Sequence, residues 1–147
     1  MHKLLAVPLL FAGLLGVPVT LAAEEDSRVA VGLPAMMQTH MLGNMRDHLA
    51  AIQEIQERLA AGEYDAAGEI AETRLGMSSL ARHGASHMAG FMPKGMQQAG
   101  TAMHQSASRF AVVAQEAAVT RDLPRALGAL GQVTAQCVAC HAAYRLK

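Results

Sequence analysis

Four stretches of the chain repeat apolar side chains at steps of three and four, the period that turns one face of an α-helix toward a core. The first runs from Ala35 to Ala61. Met41, Leu42, Met45, Leu49, Ile52, Ile55 and Leu59 make its stripe, and charged residues such as Arg46, Asp47, Glu54 and Arg58 hold the other face. Gly62 ends it. The second follows a very short turn, so it runs antiparallel to the first, from Tyr64 to Arg82. Ala67, Ile70, Ala71, Leu75, Ser78 and Leu80 are its expected inner side, and Gly68 and Gly76 weaken it from within. A glycine-containing connection spans His83 to Met92. Pro93 opens the third helix, which reaches Val119 on a stripe of Met96, Ala99, Met103, Ala107, Phe110, Val113 and Ala117. The fourth starts at the N-cap Asp122, with Pro124 where a missing N–H costs little. Its stripe is Leu127, Leu130, Val133, Cys137, Cys140 or His141, and Tyr144. No segment carries a strand signal. The pattern predicts an all-α fold, an antiparallel four-helix bundle over residues 35–147.

The start of the chain differs in kind. Residues 1–23 have the form of a secretory signal peptide: Lys3, an apolar run from Leu4 to Leu21 broken by prolines and glycines, then Ala22 and Ala23. Cleavage there leaves 124 of the 147 residues, enough for one core. Residues 24–34 form a polar lead-in ending at Pro34. Lys3 leaves with the signal, so 11 basic side chains face 12 acidic ones and no basic run remains. That balance argues against nucleic acid as a partner, and against a membrane for the mature form.

The candidate chemistry is concentrated at the other end. Cys137-Val138-Ala139-Cys140-His141 has the spacing of a c-type haem attachment site, and no other cysteine competes for it. Positions i and i+3 of a helix share a face, so both thiols reach one porphyrin edge and form thioethers with the vinyl groups. His141 is then the proximal iron ligand. A thioredoxin-like pair needs a preceding strand, and a zinc site needs a second ligand pair at regular spacing; neither is evident. One covalent haem c is expected. Export supports it, because c-type haem is joined to its protein outside the bacterial cytoplasm.

Continued through Ala142-Ala143-Tyr144-Arg145, this stretch resembles the cytochrome c-prime family, whose members carry CxxCH followed by an aromatic residue and arginine at the C-terminus. The turn Ala61-Gly62-Glu63-Tyr64-Asp65-Ala66-Ala67 also looks like that family's first helix connection. The resemblance spans residues 34–147. It implies a four-helix bundle, a homodimer through the first two helices, Arg145 beside the haem face or a propionate, and a distal residue at Met45. Met41 stands where the family often has arginine, and the tryptophan many members place beside the haem is missing here. In the family's methionine-ligated branch the iron is six-coordinate and low-spin, and the soft, neutral thioether favours Fe(II) and raises the potential. Met45 as distal ligand, with Met41 as the alternative, therefore implies a periplasmic electron carrier serving redox partner proteins. A non-ligating residue there would imply a five-coordinate protein that binds nitric oxide or carbon monoxide. His40 and His48 are rival ligands.

His83, His87, Met88 and Met92 gather in the central connection, with Met103 and His104 beyond. Imidazole and thioether donors suit copper, so a copper-handling bundle is a third reading, against that of a loop with scattered histidines. No serine–histidine–acid set, phosphate loop or carboxylate pair is present, and no enzyme is expected.

Overall fold

The computed structural model describes residues 25–147. The expected signal peptide falls outside them. The described chain is mostly helical, 76%, and all-α in class. Its helices are α1 (Ala35–Ala60), α2 (Tyr64–Ile70), α3 (Ala85–Ala89), α4 (Lys94–Thr120) and α5 (Leu123–Ala143). α3 is a short turn of helix inside the connection that the sequence leaves irregular.

α4 lies at the centre, packed on both α5 and α2, while α1 packs on α2. Phe110 on α4 is fully buried among Ile55 and Leu59 of α1, Leu75, and Leu130 and Val133 of α5. Alanines fill most of the rest of this core, including Ala67, Ala71, Ala107 and Ala114, with Tyr64 and Met103 beside them. Small side chains let backbones approach. At Gly68 an added Cβ would stand 3.0 Å from the Ala111 carbonyl oxygen, so α2 and α4 meet there almost main chain to main chain. α1 and α5 barely approach each other.

The buried face of α1 is turned from the predicted stripe. Leu49 is exposed, whereas His48 and Ala51 are buried. Both faces satisfy the helical period. Ala51 joins the same cluster as Ala67 and Ala71, and leucine is too large for that close approach. Leu127 on α5 is likewise exposed, with Ala126 buried in its place.

The second predicted helix is shorter than expected. α2 widens into a π turn at Ala71–Leu75 and stops at Gly76, which is extended (ψ −177°). Glu72 folds its carboxylate over the Gly76 Cα, where any Cβ would collide. The same carboxylate accepts the Ser78 N–H (3.1 Å), and the Glu72 carbonyl accepts the Ser78 hydroxyl (2.7 Å). A 3₁₀ turn at Met77–Ser79 follows. Gly84, with φ of 62°, then reverses the chain in a left-handed conformation that glycine adopts without cost.

α5 begins as predicted, with Asp122 Oδ1 accepting the Arg125 N–H at 3.0 Å. It ends at Ala143, and the absence of strands is corrected here. Tyr144–Leu146 forms a strand, β2, that pairs in parallel with a strand in the lead-in, β1 (Val29–Val31). Each strand has three residues, too few to show alternation. Their pairing lays the lead-in beside the CxxCH end of α5. No described helix is long and apolar enough to cross a membrane.

Candidate functional site

The gap between α1 and α5 is a cavity of about 520 Å³, within the size range of small-molecule and cofactor sites. Most of its wall is apolar. α1 contributes Met41, Leu42 and Met45; the central connection contributes Leu80, Met88 and Met92; α4 contributes Met96 and Met103. Six methionines offer unbranched, polarizable surface that adapts to a bulky guest.

Polar groups enter at two places. At the α5 end, Cys140, His141, Tyr144 and Arg145 line the cavity together with Arg28. Here the short parallel sheet matters, since Arg28 immediately precedes β1. Its Nη1 donates to the His141 carbonyl oxygen (3.4 Å), while Nε and Nη2 donate to Asp26 (2.9 and 2.8 Å). Arg145 Nε lies 3.1 Å from the same Asp26 carboxylate. Hydrogen bonding from Arg28 is the main reason that the Asp26 carboxyl is held down at about 2. Two guanidinium groups thus share one carboxylate at the rim of an apolar cavity, an arrangement that leaves a net positive charge for an acidic group. Gly95 allows the Tyr144 hydroxyl to lie against α4, where a Cβ would collide with it.

At the other end, His48 of α1, His83 of the connection and His104 of α4 line the same cavity. They are 8%, 6% and 7% exposed. One ligand atom from each lies within 4.8 Å of those of the other two. The rings of His48 and His83 meet edge to face, with centroids 4.6 Å apart. Burial, followed by the two neighbouring rings, pushes His48 down to about 4, and burial lowers His83 and His104 as well. Each shift favours the uncharged ring.

The sequence expectations divide accordingly. Cys140, His141, Met41, Met45 and Arg145 are brought to one cavity. Cys137 is not in its wall. It is half-buried against the core, its thiol donating to the Val133 carbonyl oxygen at 3.6 Å. Both cysteines are free thiols, raised by burial. His40 is exposed and serves the backbone: its ring Nε2 lies 2.9 Å from the His83 carbonyl oxygen, which also accepts from Asn44 Nδ2 at 3.1 Å. His87, grouped with His83 in the sequence, stands outside the cavity against Phe91. Arg28 was missed, because only the strand pairing brings it to the site. The histidine trio was missed as a unit. His83 and His104 were noted together as copper donors and His48 apart from them as a rival haem ligand, because 35 and 21 residues divide the three.

No family model, curated protein or solved structure matches the chain.

Proposed function

We propose that the protein is a periplasmic monohaem c-type cytochrome that carries electrons, with α1, α2 and its π turn, α4 and α5 as an antiparallel four-helix bundle around the haem. One observation carries this reading. Cys140 and His141 of the CxxCH sequence open onto the same apolar cavity as the distal candidates Met45 and Met41. The residues fit the group: the cavity has suitable size and polarity, one thiol and the proximal imidazole are at its rim, and the net positive charge that Arg28 and Arg145 keep beside Asp26 suits a propionate.

Each residue then has a role. The thiols of Cys137 and Cys140 would hold the haem through thioethers, Cys137 giving up its contact with the Val133 carbonyl oxygen. His141 and Met45 would hold the iron. The methionine wall excludes water, which keeps solvent reorganisation small when charge changes. Arg145 and Arg28 neutralise acidic groups at the rim. When bound, the haem supplies a one-electron iron couple, tuned by the axial ligands and by burial. Redox proteins are the expected partners.

The test is an absorption spectrum of the purified mature protein in both oxidation states, after acid extraction of an aliquot. Haem that stays with the denatured chain, and that is lost in the Cys137→Ala/Cys140→Ala double variant, supports thioether attachment. A weak far-red ferric band supports methionine ligation. Complete release of haem from the wild type removes the c-type reading. A broad, unsplit ferrous spectrum with rapid carbon monoxide uptake replaces electron transfer by gas binding.

A further inference from the structure

We infer that His48, His83 and His104 form a second metal site, taking a copper or zinc ion through three neutral imidazoles with its remaining position open to the cavity. The inference stands on these three side chains and holds whether or not the haem reading does.

Three histidines buried together need an explanation, since each exposes a polar ring to a largely apolar interior and buried polar groups are normally paired. Their hydrogen bonds account for only part of each ring. His104 Nδ1 donates to the Leu75 carbonyl oxygen at 2.7 Å. That bond fixes the tautomer and leaves the lone pair of Nε2 free. His83 Nδ1 stands 3.3 Å from Ser79 Oγ and 3.4 Å from His48 Nε2. Its Nε2 is buried and has no partner at all. Ser79 is itself buried and donates to the Gly76 carbonyl oxygen at 2.7 Å. His104 thus has the pattern of a metal-binding histidine, one ring nitrogen given to a backbone acceptor and the other kept for an ion, and the unpartnered Nε2 of His83 is a second donor without a role in the fold.

Scaffolding and geometry agree with this use. The three residues come from α1, α4 and the connection between them. The His83 backbone is clamped to α1 by His40 and Asn44, and Gly84 permits the turn because a Cβ there would come within 3.2 Å of the His40 ring. Bonds of about 2.0–2.1 Å to a tetrahedral ion would set the nitrogens about 3.3 Å apart. The observed limit of 4.8 Å closes to that by side-chain rotations of about an ångström. The nearest acidic residue in sequence, Asp47, is engaged by Arg74, with the Asp47 backbone carbonyl also accepting from Arg74 at 3.2 Å. An all-imidazole set selects late first-row ions over magnesium or calcium, which demand oxygen donors.

The test uses the protein as purified, with any haem it carries left in place, and Zn(II) and Cu(I) as separate probes, each dialysed to equilibrium and counted by elemental analysis. One equivalent of at least one ion should remain, with X-ray absorption showing a nitrogen shell. His48→Ala, His83→Ala and His104→Ala should each lower retention at least tenfold. The exposed His87→Ala should match the wild type. Helical circular dichroism identifies variants that have not folded, and for those His83→Gln replaces His83→Ala. Which probe is retained assigns zinc or copper. Retention of neither ion by the wild type overturns the site, and that arm needs no variant. Equal retention by the triad variants and His87→Ala would place the metal elsewhere. A haem spectrum that changes in His48→Ala while metal uptake does not would make His48 a haem ligand instead.

Discussion

The two ends of α1 and α4 are built to opposite specifications. Toward the α1–α2 turn, Ile55, Leu59, Phe110 and alanines pack with no room for a guest. About two to four turns away, the same helices present Met41, Met45, His48, Met96, Met103 and His104 around a 520 Å³ cavity. The closed end is made of stiff or small side chains that fix helix spacing. The open end is made of flexible thioethers and donor nitrogens, which add little packing specificity but can meet a metal or a flat cofactor. The closed end supplies the rigidity that the open end lacks, so stability and chemistry occupy different turns of the same two helices.

The comparison is broken most severely by Phe110→Ala. Removing the central side chain of the closed end should cost about 3–5 kcal/mol and lower the denaturant midpoint of the whole domain. If stability falls by under 1 kcal/mol, the closed end is not what holds the helices together. Gly68→Ala acts at the same end by overpacking. Its methyl would press on the Ala111 carbonyl oxygen, and a loss of about 1–3 kcal/mol is expected; an unchanged midpoint would show that α2 and α4 separate freely.

The open end responds in function rather than stability. Met45→Leu and Met41→Leu nearly conserve volume, so each should cost less than about 1.5 kcal/mol. On the proposed haem reading, Met45→Leu should give a high-spin spectrum and carbon monoxide binding, with Met41→Leu spectrally silent. The reverse pattern moves the distal ligand to Met41, and silence in both makes these methionines packing only.

The smallest effect concerns the turn that delivers His83. The Glu72 carboxyl is raised by burial, but hydrogen bonds from Ser108 and Ser78 outweigh this and leave it below the ordinary 4.5. A depressed folded value means the unfolded chain binds the proton more readily. The stabilisation is therefore complete well above pH 4.5 and is lost as pH falls below it. Glu72→Gln should flatten the acid limb of the stability profile, measured by chemical denaturation between pH 3 and 6. A profile that keeps the wild-type slope would assign that limb to other carboxylates.

How much of this was legible depends on the distance over which each feature is decided. The CxxCH spacing is local, so Cys140 and His141 were found from residues within one helical turn. Met41 and Met45 were placed because α1 is regular from end to end. Leu49 was misplaced because two adjacent faces of α1 satisfy one period, and the small residues of α2 choose between them. The early end of α2 had a signal in Gly76, but what stops the helix is the carboxylate of Glu72 folded over it.

By itself, then, the sequence determined α1, α4 and α5, the caps at Asp122 and Gly62, the thiol pair and its histidine, because each follows from backbone propensity or from contacts a few residues apart. Tertiary structure alone decided that β1 meets β2, that Arg28 reaches the rim beside Arg145, and that His48, His83 and His104 converge. Those facts join parts of the chain 20 to 110 or more residues apart. They depend on how closely helices pack and where they part, and no local pattern encodes that.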